Sequence, residues 1–272
     1  MRILALETSA KAVSAAVTED GKVLCSGYQD TGLTHSRTLM PIVEAMLKNT
    51  GLTVQDCDAV AVAAGPGSFT GIRIGVSAAK GLAFAADKPC AAVSTLEAMA
   101  RNVAHMDALV VCAMDARRSQ IYNALFTSEH GRLTRRTPDR AIGLAELAEE
   151  LRSEPLPLVI VGDGAVLCEK ALTESGLPCR LAPPQLVMQN AMSVALCAED
   201  LARAGKLVSA QALLPVYLRP PQAQRLRDRM QAAGVPCRLE VWTDMWHVFQ
   251  MFPIKKAGQA MASVGRFLLE YT

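Results

Sequence analysis

The sequence predicts an α/β protein whose chain forms two similar lobes followed by a short C-terminal extension. Hydrophobic residues make up 51% of the chain and aromatic residues only 4%, so Ala, Val, Leu and Ile must build the core. Such small apolar residues suit helices that pack closely on a sheet. A pattern of strands and helices also begins at the N-terminus and partly restarts near Ala108. The length of 272 residues allows one large domain or two modest ones.

The first lobe, residues 1–105, is predicted to begin with an antiparallel sheet. Three short apolar runs are typical of strands: Ile3–Leu6, Ala12–Val17 and Lys22–Tyr28. The last two flank Asp20-Gly21, a dipeptide that favours a two-residue hairpin turn. We therefore expect the first three strands to follow one another as hairpins.

Two helices and a further strand complete the predicted first lobe. The first helix ends near Gly51, and its apolar face follows the helical spacing of Leu39, Ile42, Val43, Met46 and Leu47. Ala59–Ala64 is a buried strand that runs into a glycine-rich loop. A helix of small residues then continues to about Ala86.

The second lobe, residues 106–222, repeats part of this order. Ala108–Met114 and Gln120–Phe126 are predicted strands, and Leu158–Val161 is a third. The third strand is followed by Gly162-Asp163-Gly164 and a helix from Ala165 to Glu174. An alanine-rich helix follows over Met192–Ala204, and packing of residues 190–205 back on the first lobe is an alternative to packing within the second.

Charge and cysteine usage narrow the classes of function. The formal net charge is only +2, whereas a protein that binds nucleic acid without a partner usually has a strong basic excess. The eight cysteines form no CxxC pair, so we interpret them as small buried hydrophobic residues in a reducing compartment. Glu7 and Lys11 interrupt any signal-peptide core, and no run reaches the roughly 18 apolar residues of a membrane span. The sequence predicts a cytoplasmic protein.

The glycine-rich loop is the strongest local feature and has two interpretations. Gly65, Gly67 and Gly71 surround Ser68 and Thr70 between a strand and a helix. Glycines allow close backbone approach, and a helix N-terminus offers free N–H groups to a phosphate. The loop lacks the Gly-Lys-Ser/Thr ending of a Walker motif. A tight turn capped by Ser68 or Thr70 is the favoured alternative to a phosphate site.

Other polar residues give weaker signals. Glu7 and Thr8 follow the first strand and form a second candidate site, although an acid there is usually a solvated strand end. The four histidines have no metal-ligand spacing, so no metal site is predicted, and His35 is expected to cap the first helix. A solvated loop is favoured over a tRNA contact for the basic cluster: Arg132, Arg135, Arg136 and Arg140.

A set of motifs in fixed order carries a family resemblance. The longest is GPGSFTGIRIG over Gly65–Gly75, whose length makes it highly specific. The supporting motifs are Ile3–Ser9, His35-Ser36, Ala78–Leu82, Val93–Glu97, Met114–Arg118 and Pro215–Arg219. On these motifs the chain from residue 1 to about 222 resembles the TsaB family, non-peptidase homologues of the glycoprotease family. Glu7 departs from the pattern, since relatives commonly carry Asp there, but the charge is kept.

The resemblance implies a fold and a set of partners. The fold is an actin-like or Hsp70-like (ASKHA) two-lobed fold, in which an acid at the position of Glu7 lies near metal-bound phosphates in the ATPases of the class. The function is that of a non-catalytic subunit in threonylcarbamoylation of the tRNA adenosine next to the anticodon (t6A synthesis). The partners are a TsaD-type transferase, which holds the metal, and a TsaE-type ATPase in a larger complex. We expect contact with tRNA mainly through these partners, and a homodimer is the alternative state of the isolated chain.

No catalytic residue and no required cofactor are predicted. We expect ATP or ADP to bind weakly at most, because Glu7 and the glycine-rich loop occur without a phosphate-gripping lysine. Small-molecule kinase activity of an actin-like enzyme is the alternative, and it requires ATP turnover by the isolated protein.

The resemblance implies a partner interface on the two helices that flank the glycine-rich loop. On the second helix Gly71, Gly75 and Ala79 recur every four residues, which makes a shallow groove for another helix. The alternative is that this face packs on the protein's own sheet. The predicted interface consists of His35, Leu39, Ile72, Gly75, Ala78, Ala79 and Leu82. Glutamate at Ile72 or Ala79 is predicted to abolish partner binding in a chain that stays folded.

The extension, residues 223–272, resembles the end of an α/β-hydrolase esterase. His247 would match the catalytic histidine, after a strand over Arg238–Trp242. The final helix is predicted to have one apolar face: Ala260, Val264, Phe267, Leu268 and Tyr271. An esterase also needs a serine at a strand-to-helix elbow, and the nearest match, Ser77, falls inside a predicted helix. We interpret the extension as a strand and helix, or a poorly ordered segment, without esterase activity.

Overall fold

The computed structural model describes residues 1–117, 119–218, 222–238, 240 and 255–271. Residues 1–219 form one compact unit and residues 220–272 a second. The strands of the first unit are β1 (Arg2–Glu7), β2 (Val13–Glu19), β3 (Lys22–Gln29), β4 (Ala59–Gly65), β5 (Cys90–Ser94), β6 (Ala108–Asp115), β7 (Gln120–Glu129), β8 (Arg132–Arg135), β9 (Arg140–Gly143), β10 (Leu158–Val161) and β11 (Cys179–Leu181). Its α-helices are α1 (His35–Thr50), α2 (Phe69–Ala86), α3 (Thr95–Arg101), α4 (Leu144–Glu150), α5 (Ala165–Glu174), α6 (Pro184–Val187) and α7 (Ala191–Arg203).

The first sheet has the order β3-β2-β1-β4-β5. β1 is antiparallel to β2 and parallel to β4, so hairpins form one half of the sheet and helical crossovers the other. Side chains alternate between the faces of β1 because the strand period is two. Leu4 and Leu6 pack in the cluster with α1 and α2, whereas Ile3 and Ala5 pack with α7 on the opposite face.

The second sheet repeats this topology. Its order is β11-β10-β6-β7-β8, with β9 also paired to β7. β6 is antiparallel to β7 and parallel to β10, so β6 is the counterpart of β1. One face of the sheet packs on α4 and α5, and the other packs on α3. The two-lobed actin-like fold expected from the sequence is confirmed.

Two helices pack on the sheet of the other half of the chain, and for α7 the sequence analysis allowed this as an alternative. α3, which lies within the predicted first lobe, packs its Leu96 and Met99 on the second sheet with Val110 and Cys112. α7 follows the second sheet in the chain but packs on the first sheet. Residues from each half of the chain therefore cover the sheet of the other half.

The basic cluster is not a solvated loop, and that expectation was wrong. Arg132 and Arg135 lie on β8 and Arg140 lies on β9, both of which pair with β7. Three arginines of the cluster form ion pairs: Arg135 with Glu97 and with Asp139 four residues on, Arg136 with Glu154, and Arg140 with Glu150. The arginines run along edge strands, where charged side chains also oppose strand-to-strand aggregation.

The second unit contains two helices, α8 (Gln222–Ala232) and α9 (Lys255–Tyr271). The expected apolar face of α9 was wrong in part, because Ala257, Ala260 and Ser263 are buried while Val264 and Leu268 are exposed. Arg238 and Glu240 do not lie in a strand. The remainder of the predicted strand, apart from those two residues, and His247 lie outside the described residues.

Two further features concern the whole chain. All eight cysteines are free thiols, seven of them within the cores or beside them. Within the described ranges, no helix combines the length and the apolar character that crossing a membrane requires.

Candidate functional site

The glycine-rich loop forms the junction between β4 and α2. Ser68 is the N-cap of α2, and its hydroxyl accepts a hydrogen bond from the Gly71 N–H at 3.4 Å. Gly65 has a φ of 132°, which a residue with a Cβ rarely adopts. The tight turn capped by Ser68 is therefore present in the structure.

The glycines of the junction allow close contact with the end of β1. A Cβ at Gly71 would lie 2.1 Å from the Thr8 carbonyl oxygen, and one at Gly75 would lie 2.3 Å from Thr8 Oγ1. A Cβ at Gly67 would lie 2.5 Å from the Ser9 carbonyl oxygen. Atoms of Thr8 and Ser9 thus occupy the space beside these glycines. A phosphate bound at the loop would need that same space.

The polar groups of the junction are also used internally. The Ser68 N–H donates to the Ser9 carbonyl at 2.7 Å, and the Thr8 hydroxyl donates to the Gly71 carbonyl at 2.7 Å. Together with the Ser68 cap on the Gly71 N–H, these bonds consume two of the donors expected to hold an anion. Thr70 is exposed beside them at the start of α2.

Glu7 is fully buried at the end of β1, so its interpretation as a solvated strand end was wrong. Its Oε1 accepts a hydrogen bond from the Ser9 N–H at 2.5 Å, while Oε2 has no partner among the described residues. Burial raises the pKa of Glu7 to about 7; hydrogen bonds from Ser9 oppose this rise, and the charge of Asp163 adds to it. The Glu7 side chain is therefore enclosed within the chain at the end of β1.

Asp163 brings a second carboxyl group from the other lobe into the neighbourhood of Glu7. It lies in the turn between β10 and α5, and Gln189 donates a hydrogen bond to it through Nε2 at 3.0 Å. Burial raises the pKa of Asp163 as well, against that hydrogen bond. In the described part of the chain, no group of three or more His, Cys, Asp or Glu side chains is placed to hold a metal ion.

Most of the predicted interface residues point into the core. Leu39, Ile72, Gly75 and Ala79 are buried between the helices and the first sheet. The four-residue spacing of small side chains therefore serves packing on β1 and β4, which was the alternative interpretation. Because Ile72 and Ala79 have no exposed surface, glutamate at either position is now expected to destabilise the fold, and not only to block partner binding.

The remaining interface residues, His35, Ala78 and Leu82, are half-buried. His35 does not cap α1, because Thr34 is the N-cap and His35 is the first helical residue. The His35 ring instead contacts the Ala10 carbonyl through Nε2 at 2.7 Å, which ties the start of α1 to the turn after β1.

The exposed face of α2 was missed by the sequence interpretation. It carries Phe69, Arg73, Ser77, Gly81 and Phe84, which recur at helical spacing. Phe69 is 45% exposed and Phe84 is 69% exposed. A Cβ at Gly81 would meet no atom within 4 Å, so the middle of this face is open. Met40 on the adjacent helix α1 is also exposed.

A C-terminal strap of the first unit, residues 208–217, lies along α2. Val208 bridges Cys90 at the edge of β5, and the Val216 N–H donates to the Ala64 carbonyl at 2.7 Å. The Lys80 ammonium group donates to the carbonyls of Gln211 at 3.0 Å and Leu213 at 3.1 Å. The glycine-rich motif over Gly65–Gly75 and Tyr217 of the last motif therefore meet in the structure.

Comparisons with known proteins agree with this arrangement. The family model described as "TsaD: tRNA N6-adenosine threonylcarbamoyltransferase" matches residues 29–214. The chain is 36% identical over 174 residues to the tRNA threonylcarbamoyladenosine biosynthesis protein TsaB of Bacillus subtilis, covering 64% of this chain and 76% of that protein. The Escherichia coli protein of the same name is 33% identical over 223 residues, covering 80% and 95%.

The solved structures give the same result. A crystal structure of an uncharacterized protein from Pseudomonas aeruginosa with similarity to peptidase YeaZ superposes with a TM-score of 0.71 at 28% identity. The match covers 80% of this chain and 99% of that one. The similarity therefore includes both lobes of the first unit.

Proposed function

The chain belongs to the TsaB family of tRNA threonylcarbamoyladenosine biosynthesis proteins, and we propose that it is a non-catalytic subunit that binds a TsaD-type transferase during t6A synthesis. The transferase, and a TsaE-type ATPase in the larger complex, make most of the contacts with tRNA in this proposal. The near-neutral charge of the chain supports that division, because phosphate contacts require many cations. We place the complex in the cytoplasm.

The observation that carries the proposal is the folding of the GPGSFTGIRIG motif. Its glycines pack on Thr8 and Ser9, and its donors are largely used within the chain, so the junction supports the shape of α2. The same helix exposes Phe69 and Phe84 on its outer face. Exposed aromatic residues on a rigid helix are typical of a protein–protein interface.

The partner surface that we propose is the exposed face of α1 and α2. It replaces the buried positions predicted from the sequence and retains the half-buried ones, namely His35, Ala78 and Leu82. Small residues in the middle of the face, Ser77 and Gly81, allow a partner helix to approach closely between the two phenylalanines.

We also propose that no nucleotide is required and that ATP or ADP binds weakly at most. The Ser68 and Gly71 N–H groups are occupied within the chain, so two of the donors that a phosphate would need at the start of α2 are already used. Ser77 lies within α2 and not at an elbow between a strand and a helix, which argues against an esterase nucleophile.

A co-purification experiment tests the proposed function. The chain is co-expressed with the TsaD-type subunit of the same organism, and the complex is isolated through a tag on that subunit. Phe84→Glu is expected to remove the complex, because it replaces an exposed aromatic side chain of the proposed partner surface with an unpaired carboxylate. Val166→Glu, at a 70% exposed position on α5, is the matched control and is expected to co-purify like the wild type.

Reconstituted t6A synthesis provides the second readout. The transferase mixture without this chain is expected to be inactive, and the wild type and Val166→Glu are expected to restore activity. A wild-type chain that neither co-purifies with the transferase nor restores modification would contradict the proposed function. Steady ATP turnover by the isolated chain would favour the kinase alternative.

A further inference from the structure

The guanidinium group of Arg73 is held in a fixed position on the exposed face of α2. It lies over the Phe69 ring at 4.4 Å from the ring centre, and its Nε donates to the Tyr217 hydroxyl at 3.0 Å. The Phe69 and Tyr217 rings stand 5.2 Å apart, so the strap and the helix together fix the arginine. Its two terminal nitrogens have no hydrogen-bond partner, and no carboxylate pairs with it, among the described residues.

Arg135 provides a comparison within the same chain, because it is also stacked on an aromatic ring and both of its terminal nitrogens donate to carboxylates. Its guanidinium lies over the Phe126 ring at 4.6 Å from the ring centre. One terminal nitrogen donates to Asp139 at 2.6 Å and the other to Glu97 at 2.8 Å. The chain therefore contains two stacked arginines, one with both terminal nitrogens on carboxylates and one, Arg73, with both nitrogens open.

We propose that Arg73 receives a carboxylate of the transferase-type partner subunit and thereby selects that partner. This inference rests on the proposed function and names the chemistry that the partner must supply at one point of the interface. A planar guanidinium binds a planar carboxylate through two parallel hydrogen bonds. Stacking and the Tyr217 hydroxyl have already fixed the orientation of Arg73, so little side-chain entropy is lost on binding.

The surroundings of Arg73 favour a carboxylate over a phosphate of tRNA. The second basic residue of α2, Lys80, uses its ammonium group on the Gln211 and Leu213 carbonyls. The strap adds exposed apolar side chains, Leu214 and Val216, beside Tyr217. A nucleic-acid surface needs several cations along a backbone, whereas a single fixed arginine among apolar residues is typical of a protein hot spot.

The test measures affinity for the TsaD-type subunit of the same organism by titration calorimetry, with full-length variants. Arg73→Gln removes the charge and is expected to raise the dissociation constant at least about ten-fold. This corresponds to a loss of ~1.4 kcal/mol in binding free energy. Arg73→Lys keeps the charge without the paired donors and is expected to lie between the wild type and Arg73→Gln. Arg180→Gln, on exposed strand β11, is the matched control and is expected to bind like the wild type.

Two readouts separate an ionic contact from a change of fold. Circular dichroism and the melting temperature should match the wild type for each variant, since Arg73 is exposed. The salt dependence of binding should become shallower in Arg73→Gln, because one charge pair is lost. The partner's exposed acids are then replaced one at a time with arginine, and one of these variants is expected to restore the affinity lost in Arg73→Glu.

Three results would overturn the inference. Wild-type binding by folded Arg73→Gln would remove Arg73 from the interface and leave the proposed function intact. Normal binding to the transferase subunit with weaker binding of tRNA by the complex would assign Arg73 to a phosphate. A wild-type chain that does not bind the transferase subunit would contradict the proposed function and this inference together.

Discussion

The two lobes share one sheet topology, but the acidic residue at the end of the first strand is buried in one lobe and exposed in the other. Glu7 ends β1 and has no exposed surface, whereas Asp115 ends β6 and is exposed. The Asp115 carboxylate accepts a hydrogen bond from the Arg117 N–H at 2.7 Å, which keeps it at the strand end. The difference shows that the position in the fold does not by itself fix the state of the acid.

The strand-to-helix junctions of the two lobes are alike in a different respect. In the first lobe Gly71 lies against the Thr8 carbonyl; in the second, a Cβ at Gly164 would lie 2.8 Å from the Asp115 N–H and one at Gly162 would lie 2.2 Å from the Ala113 carbonyl. Glycine at this junction therefore lets a helix approach the end of the first strand in both lobes. The first lobe differs in having a second close glycine on the helix. Gly75, one turn after Gly71 on α2, also lies against Thr8 at the end of β1.

The largest expected effect comes from a charge in the core below α2. Ile72→Glu is expected to lower the free energy of unfolding by about 4 kcal/mol, because it removes a buried side chain and leaves an unpaired carboxylate inside. Val166→Glu, in the first turn of the equivalent helix α5, is the matched change and is expected to alter it by less than about 0.5 kcal/mol. Urea denaturation followed by circular dichroism measures both.

The outcome for Ile72→Glu also decides between two interpretations of α2. A folded Ile72→Glu chain that fails to bind the transferase would reinstate the interface predicted from the sequence. Unfolding of the variant would support the outward face with Ser77 and Phe84 as the partner surface.

The next prediction tests the close contact between Gly71 and Thr8 at the first junction. Gly71→Ala is expected to destabilise the chain by about 3 kcal/mol, because the new Cβ meets the Thr8 carbonyl oxygen at 2.1 Å and Thr8 is buried directly after β1. Gly81→Ala lies on the same helix in open space and is expected to stabilise it by about 0.5–1 kcal/mol. Equal effects at both positions, measured by urea denaturation, would show that helix propensity and not close contact governs the junction.

The elements that could be predicted from the sequence are those with long or periodic apolar runs. The three hairpin strands, β4, β6, β10, α1, α2, α5 and α7 were located to within a few residues. β5 was missed because five residues between two helices give little periodic signal, and β11 has only three residues. β8 and β9 were missed because their arginines, which pair with acids elsewhere, resemble a solvated loop.

The site was predictable in its residues but not in their environment. The sequence singled out Glu7 and the glycine-rich loop, yet the burial of Glu7 depends on contacts that are remote in the sequence, such as α2 and the turn with Asp163. α2 has small or apolar residues nearly all round, so periodicity does not tell which face meets the sheet. Arg73 lay within the motif, but its fixation by Tyr217 joins residues 144 positions apart.

A pH series tests the contrast between Glu7 and Asp115. The folded-state pKa of Glu7, about 7, exceeds its ordinary value of 4.5, so the folded chain holds this proton more tightly than the unfolded chain. Its contribution to stability is therefore full below pH 4.5 and is lost as the pH rises to about 7. The loss amounts to about 3 kcal/mol.

Glu7→Gln keeps the Oε1 acceptor for the Ser9 N–H and removes the ionisation. We expect the variant to gain stability relative to the wild type between pH 4.5 and 7, with a difference that levels off above pH 7. Asp115→Asn is the matched change in the second lobe. Its free energy of unfolding is expected to fall between pH 4.5 and 7 as in the wild type, because the Asp115 side chain is exposed. Parallel pH profiles for the wild type and Glu7→Gln in urea denaturation would refute the buried state of Glu7.

The smallest expected effect concerns the caps of the two equivalent helices. α2 is capped by the Ser68 hydroxyl, whereas α5 has Gly164 as N-cap and no side-chain cap. Ser68→Ala is expected to cost only about 0.5–1 kcal/mol, because the bond to the Gly71 N–H is long at 3.4 Å and the Ser68 backbone keeps its bond to Ser9.

Thr34→Ala is the matched control for that cap. Thr34 is the N-cap of α1, but its side chain makes no cap hydrogen bond, so the substitution is expected to leave the free energy of unfolding unchanged. Urea denaturation at neutral pH compares Ser68→Ala, Thr34→Ala and the wild type. A loss above about 2 kcal/mol for Ser68→Ala would exceed what a helix cap supplies. Such a loss would mean that the Ser68 hydroxyl, and not the glycine contacts, stabilises the junction between β4 and α2. Because α5 has no side-chain cap, the two lobes would then differ in how this junction is stabilised as well as in the burial of the acid.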